Sequence, residues 1–203
     1  ASPYPGQGET ATFDSAGNSH TNLTISGLFS VANILFTGPS VAAYTIGTGP
    51  RDSQLLVMGT EGEYRIDASA ANGQTFNCSL QLGGGSVNGN YTFHNDAPEQ
   101  LLTLGSVFVP AASSNGTKTV RLRGAGAITV LGDMLRGPSG LNLNMATTNV
   151  LTLSGSNALT AVYLDGTNGI VQLKAASAVV FANAGGDNII ASQNATINGP
   201  GSI

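Results

Sequence analysis

Apolar and small polar residues alternate along this chain in short runs. Between Gly124 and Lys174 the runs are Ile128-Thr129-Val130, Leu141-Asn142-Leu143-Asn144-Met145, Leu151-Thr152-Leu153-Ser154, Val162-Tyr163-Leu164 and Val171-Gln172-Leu173-Lys174. A period of two sends alternate side chains to opposite faces, so each run predicts a half-buried strand. Turn residues separate them: Gly132-Asp133, Gly137-Pro138, Gly155-Ser156-Asn157 and Asp165-Gly166. No window there holds the i, i+3, i+4 spacing of an amphipathic helix, and the intervals are too short for βαβ crossovers.

The preceding residues continue the pattern. Ala1 to Gly8, with Pro3, Pro5, Gly6 and Gly8, predicts an extended lead-in, and residues 1–20 are expected to form an N-terminal extension or cap. Thr10 to Phe13 is a short strand; Asn22 to Ser26 follows with Leu23 and Ile25 on one face. Phe29 to Phe36 is more continuously apolar, as in a strand covered on both faces, and Gly38-Pro39 ends it. Tyr44 to Ile46, Gln54 to Met58 and Leu101 to Val109 are further strands. In Thr75 to Leu82, Phe76, Cys78, Leu80 and Leu82 share a face, so Cys78 reads as a small core residue. Gly83-Gly84-Gly85 with Asn88-Gly89-Asn90 predicts a flexible corner before the strand Tyr91 to His94. In Lys118 to Arg123, Val120 and Leu122 point inward and Arg121 and Arg123 outward, after a loop from Pro110 to Gly116.

Such strands and corners define an all-β chain of one domain, residues 1–203, with two possible architectures: a wound parallel β-helix or an antiparallel sandwich. Internal similarity favours winding. Leu122-Arg123-Gly124-Ala125-Gly126-Ala127-Ile128 recurs loosely as Ile197-Asn198-Gly199-Pro200-Gly201-Ser202-Ile203. The strand density between them suits triangular coils of roughly 20 to 25 residues, each handing its backbone hydrogen bonds to the next.

Composition narrows the partners. Charged residues make up 9% of the chain, so solvation falls to Ser, Thr, Asn and Gly. The net charge is −4 and the seven Lys and Arg are scattered, which argues against nucleic acid. No apolar run approaches the roughly 20 residues of a membrane span. One cysteine cannot close an internal disulfide. The chain starts at Ala1, which suggests a removed leader or an expressed fragment.

Charge gathers in one place. If Glu61 to Asp67 is extended, Glu61, Glu63, Arg65 and Asp67 face one way and Tyr64 and Ile66 the other. The side chains solvate an outer face, or their carboxylates hold a hard cation or serve a glycosidic reaction. A calcium-binding solenoid would repeat a GGxGxD pattern, of which Ala184-Gly185-Gly186-Asp187-Asn188 is a single imperfect echo. The glycine corner before Tyr91 opens a strand, not the helix a phosphate cradle needs. His20 and His94 each sit beside turn residues, and no GxSxG elbow precedes a helix. No residue is assigned a catalytic, cofactor-binding or metal-binding role.

Asn149 to Thr160 (NVLTLSGSNALT) followed by Val162 to Leu173 (VYLDGTNGIVQL) resembles the autotransporter-associated β-strand repeat, or passenger-associated transport repeat, of bacterial surface proteins. The opening segments Gly8 to Asp14, Asn22 to Ile25 and Tyr44 to Gly47 resemble the start of passenger regions carrying these repeats. The resemblance implies a secreted, right-handed parallel β-helix acting as a stalk, fibre or adhesive surface. Passenger regions run much longer and end in a barrel or sorting signal, neither of which is in this sequence. The expected function is therefore structural: an extracellular solenoid subunit or passenger segment of a fibre, sheath or matrix, self-associating into a homo-oligomer or filament. The alternative is a carbohydrate-binding or carbohydrate-cleaving β-helix, in which Tyr44, Tyr64, Tyr91 or Tyr163 would line up with Glu61, Glu63 and Asp67 along a glycan. Asn-x-Ser/Thr sequons begin at Asn22, Asn77, Asn90, Asn115 and Asn194.

Overall fold

The structure, a computed structural model, describes residues 5–6, 8–51, 55–58, 61–83, 88–111, 116–138, 140–147, 149–165, 170–174, 178–181, 189–191 and 196–201. Three parallel sheets of eight, eight and seven strands enclose one core. The first sheet contains Thr10–Phe13, Asn33–Phe36, Glu63–Ile66, Gly89–Asn95, Lys118–Gly124, Leu141–Thr147, Ala161–Leu164 and Ile189–Ala191. The second contains Asn22–Leu23, Thr45–Ile46, Gln74–Phe76, Leu101–Leu104, Ala127–Val130, Val150–Leu153, Ile170–Leu173 and Thr196–Asn198. The third contains Leu28–Val31, Leu55–Met58, Ser79–Gln81, Val107–Phe108, Met134–Leu135, Ser156–Leu159 and Ala178–Phe181. The chain visits the sheets in rotation, and every pairing among the described residues is parallel, so the fold is a β-solenoid and not an antiparallel sandwich.

Alternation sends one side chain in two into the core, where equivalent positions stack. Tyr64, Phe93, Leu122, Met145 and Leu164 form one column on the first sheet. Ile46, Phe76, Leu104, Val130, Leu153 and Leu173 form another on the second. The early coils are filled by aromatic rings and the later ones by aliphatic chains. Tyr64 stacks on Phe76 at 5.0 Å between ring centroids and meets Phe93 edge-on at 5.8 Å; Phe13 stacks on Phe36 at 4.9 Å. Within residues 1–20, Thr10–Phe13 is thus already a strand of the first sheet.

Several boundaries differ from the sequence reading. Phe29 to Phe36 is not one strand covered on both faces: it bends at Ala32, leaving Leu28–Val31 in the third sheet and Asn33–Phe36 in the first. Thr75 to Leu82 and Leu101 to Val109 likewise bend, at Asn77-Cys78 and at Gly105-Ser106. Phe76, Cys78, Leu80 and Leu82 still all reach the core, because the bend at Asn77-Cys78 turns the strand around it. Gly89 and Asn90 open a strand instead of a corner, as do Ser156 and Asn157.

Coil length varies more than 20 to 25 residues. Cross-coil hydrogen bonds join residues 23 apart from Asn33 to Thr10, 30 apart from Glu63 to Asn33, 29 apart from Thr117 to Asn88 and 19 apart from Leu141 to Thr160. The extra residues sit in corners, which strand alternation cannot count. The repeat noted at Leu122 and Ile197 falls on different corners: Gly124 leaves the first sheet and Gly199 leaves the second. Both glycines have positive φ, 98° and 114°, and a side chain on either would strike a carbonyl of the adjacent coil. The shared pattern reflects one steric need met twice, not one position repeated.

Tyr64 is wholly buried and its hydroxyl has no hydrogen-bond partner, whereas the Tyr91 hydroxyl donates to the Gly83 carbonyl at 3.0 Å. Tyr64→Phe is therefore expected to stabilise the fold by about 1 kcal/mol, and Tyr91→Phe to cost about as much, both read from urea midpoints. Burial, with a smaller contribution from Cys78, pushes the Tyr64 phenol well above its ordinary range. The unfolded chain then ionises first, so this residue's contribution is complete below pH ~10 and is lost as pH rises beyond it. Tyr64→Phe should flatten that alkaline loss.

Candidate functional site

The charged segment lies on the outer face of the first sheet. Glu63 and Arg65 point outward while Tyr64 and Ile66 are buried, as alternation requires. Glu61 does not share their strand. It sits exposed in a left-handed turn, φ 58°, and its Oε1 accepts the Asn90 Nδ2 at 3.5 Å. Asp67 follows the strand and accepts the Ser69 amide at 3.0 Å and its hydroxyl at 2.9 Å. Those two bonds, with Arg65 adding less, hold its carboxyl below the usual range.

Parallel register brings in residues the sequence reading did not join to this segment. Thr92 lies beside Glu63 and His94 beside Arg65. The His94 ring is held from both sides, Nδ1 at 2.9 Å from Glu63 Oε1 and Nε2 at 2.8 Å from Asp96 Oδ1. The other Asp96 oxygen accepts Arg65 Nη2 at 2.7 Å, and Asp67 lies 3.7 Å from the same nitrogen. The result is a clamp between two successive coils in which carboxylates alternate with nitrogen-bearing side chains. A signal was present: Tyr64-Arg65-Ile66-Asp67-Ala68 and Phe93-His94-Asn95-Asp96-Ala97 share one pattern. His20 sits elsewhere, exposed beside the 3-10 turn Gly17–Ser19 of the first coil.

The tyrosines do not gather with these carboxylates. Tyr44, Tyr64 and Tyr91 are buried, and Tyr163 alone of the four is half-buried on the outer face. Among the described residues no cluster of His, Cys, Asp and Glu has the arrangement of a metal site. The echo Ala184 to Asn188 lies outside the described residues, as do Asn115 and Asn194. Asn22 is exposed, and Asn77 and Asn90 are half-buried.

A second ion pair joins distant sequence at a corner. Arg51 meets Asp133 in a two-pronged contact, Nε to Oδ2 at 2.9 Å and Nη2 to Oδ1 at 2.8 Å, across 82 residues. Asp133 Oδ1 also accepts the Ser156 amide at 2.9 Å. The Arg51 hydrogen bond is the chief reason that the Asp133 carboxyl stays below its usual range. Its contribution is present above pH ~3.9 and is lost on acidification through the lower folded value.

Buried amides tie the corners. Asn95 Nδ2 donates to the carbonyls of Gln100 and Ala127 at 2.9 and 2.8 Å, and its Oδ1 accepts the Ala97 amide at 3.2 Å. Gln74 and Asn157 do similar work at other corners. Arg121 and Arg123 point outward as alternation predicts, half-buried, between Thr92 and His94 on one side and Asn144 and Ala146 on the other.

Compared with family models, curated proteins and solved structures, the chain matches none. Fold and surface together define its class as a three-sided parallel β-solenoid with its conspicuous polar contacts between coils. No helix among the described residues is long and apolar enough to cross a membrane.

Proposed function

We propose that this chain is a structural element, a β-solenoid segment of a secreted surface fibre, sheath or matrix that associates with further copies of itself. The observation that carries the reading is the unbroken stacking of like positions: each coil templates the next through three ladders and shared core columns. In such a stack stability is a sum of coil terms and nearest-neighbour contacts, so it grows with the number of coils. The polar side chains support the same role, since Glu63, His94, Asp96 and Arg65 lock adjacent coils and Arg51 with Asp133 bridges more distant ones. A low-charge exterior rich in Ser, Thr, Asn and Gly offers little repulsion between copies. The secreted location rests on that composition and on the resemblance to autotransporter-associated repeats. Electron microscopy and sedimentation over a concentration series test the proposal. Elongated particles that lengthen or bundle with concentration are expected; monomers that stay dispersed at high concentration would overturn it.

A further inference from the structure

Two guanidinium groups on the outer face of the first sheet stand apart from Arg65, the third one there. Arg51 is bound to Asp133, and Arg65 to Asp96 and Asp67, whereas Arg121 and Arg123 have no carboxylate at ion-pair distance among the described residues. They lie two positions apart on Lys118–Gly124, so their side chains leave the same face about 7 Å apart. Beside them is His94, held between Glu63 and Asp96, so those two carboxylates make their contacts with His94 and Arg65 and not with this pair. Their half-buried stems rest on the sheet, which limits the freedom lost when an anion binds.

The row continues along the solenoid axis. Arg121 is in register with Asn144, and Asn144 with Tyr163, at successive coils about 4.8 Å apart. Asn144 Nδ2 is held by Asp165 while its Oδ1 has no donor, and Tyr163 presents a half-buried ring on the outer face. Guanidinium, amide and phenol thus follow one another at a repeat comparable to the length of a pyranose ring. We propose that this row binds an acidic polysaccharide lying along the axis, Arg121, with Arg123 beside it on the same strand, gripping sugar carboxylates and Asn144 and Tyr163 contacting neighbouring sugars. A guanidinium fork suits a carboxylate, to which it donates two parallel hydrogen bonds. A single-stranded nucleic acid fits less well: its bases need a series of rings to stack on, and Tyr163 is the one ring in this row.

The site does not depend on self-association and is tested apart from it. Retardation of the chain in gels containing polygalacturonate, a neutral glucan or single-stranded DNA reads the binding directly. Retardation by polygalacturonate alone, weakened by salt, is the expected result. Arg121→Ala with Arg123→Ala should weaken it at least ~10-fold, the loss of charge-assisted hydrogen bonds, while Arg136→Ala, on the exposed end of a third-sheet strand, leaves it unchanged. The Lys pair, Arg121→Lys with Arg123→Lys, keeps the charge and should bind between the two, and thermal melts show that each variant is folded. No retardation of the native chain by polygalacturonate, equal retardation by DNA, undiminished binding in the folded alanine pair, or an equal loss in Arg136→Ala would each overturn the proposal.

Discussion

Gly124→Ala is expected to lower stability by about 4 kcal/mol, combining backbone strain with overpacking. At φ 98° an L side chain is already strained, and the added Cβ would lie inside the contact distance of the Asn95 carbonyl oxygen and carbon. Both obstructing atoms belong to backbone. Asn95 cannot withdraw easily, because its carbonyl accepts the Gly126 amide at 2.8 Å and its side chain fixes Gln100, Ala127 and Ala97. Gly27→Ala separates the two causes. Gly27 has φ 74° with open space where a Cβ would stand, so its replacement should cost only the backbone strain, about 1 to 2 kcal/mol. Urea midpoints of the two variants measure the difference, and equal losses would show that the close approach at Gly124 carries no energy.

Phe76→Ala is expected to cost about 4 kcal/mol, the range for removing a buried ring from a packed core. Phe76 is 1% exposed, stacks on Tyr64, and meets Phe36 edge-on at 6.0 Å, so its loss opens a cavity between three coils. The first-sheet column of Tyr64, on which Phe76 stacks, turns aliphatic nearby: beyond Phe93 it continues as Leu122, Met145 and Leu164. Because the core of each coil packs chiefly on its neighbours, the damage should remain local. Hydrogen exchange should quicken in the strands around Asn33–Phe36, Glu63–Ile66 and Leu101–Leu104, and stay slow in Leu141–Thr147 and Val150–Leu153. Uniform acceleration along the chain would mean a single cooperative unit instead of a sum of coils.

Much of the charged face was legible as parity and little of it as geometry. Tyr64 and Ile66 inside with Glu63 and Arg65 outside follows from period two, and so does Val120 and Leu122 inside with Arg121 and Arg123 outside. Glu61 breaks the pattern because the strand is shorter than the charged run and a left-handed turn takes over there, whereas Asp67, just past the strand, still lies near Arg65. The partners of Glu63 were harder. His94 and Asp96 lie about one coil away, and the length of that coil depends on how many residues its corners absorb. Nothing in local sequence links Arg51 to Asp133. Their meeting is the sum of the intervening corners and strands.

Alternation by itself established that the chain is built of short strands, which side chains enter the core, and that small residues must turn the corners. These are properties of a few adjacent peptide units, where sterics and the apolar or polar character of each residue act locally. Tertiary structure alone decided that Phe29 to Phe36, Thr75 to Leu82 and Leu101 to Val109 each bend between two sheets, and that neighbouring strands run parallel at intervals from 19 to 30 residues. A bend costs no break in the apolar pattern, because both flanking strands bury the same core. The interval between coils is set by corner loops that carry no period, so the contacts which give this surface its chemistry appear only once the winding has brought distant coils together.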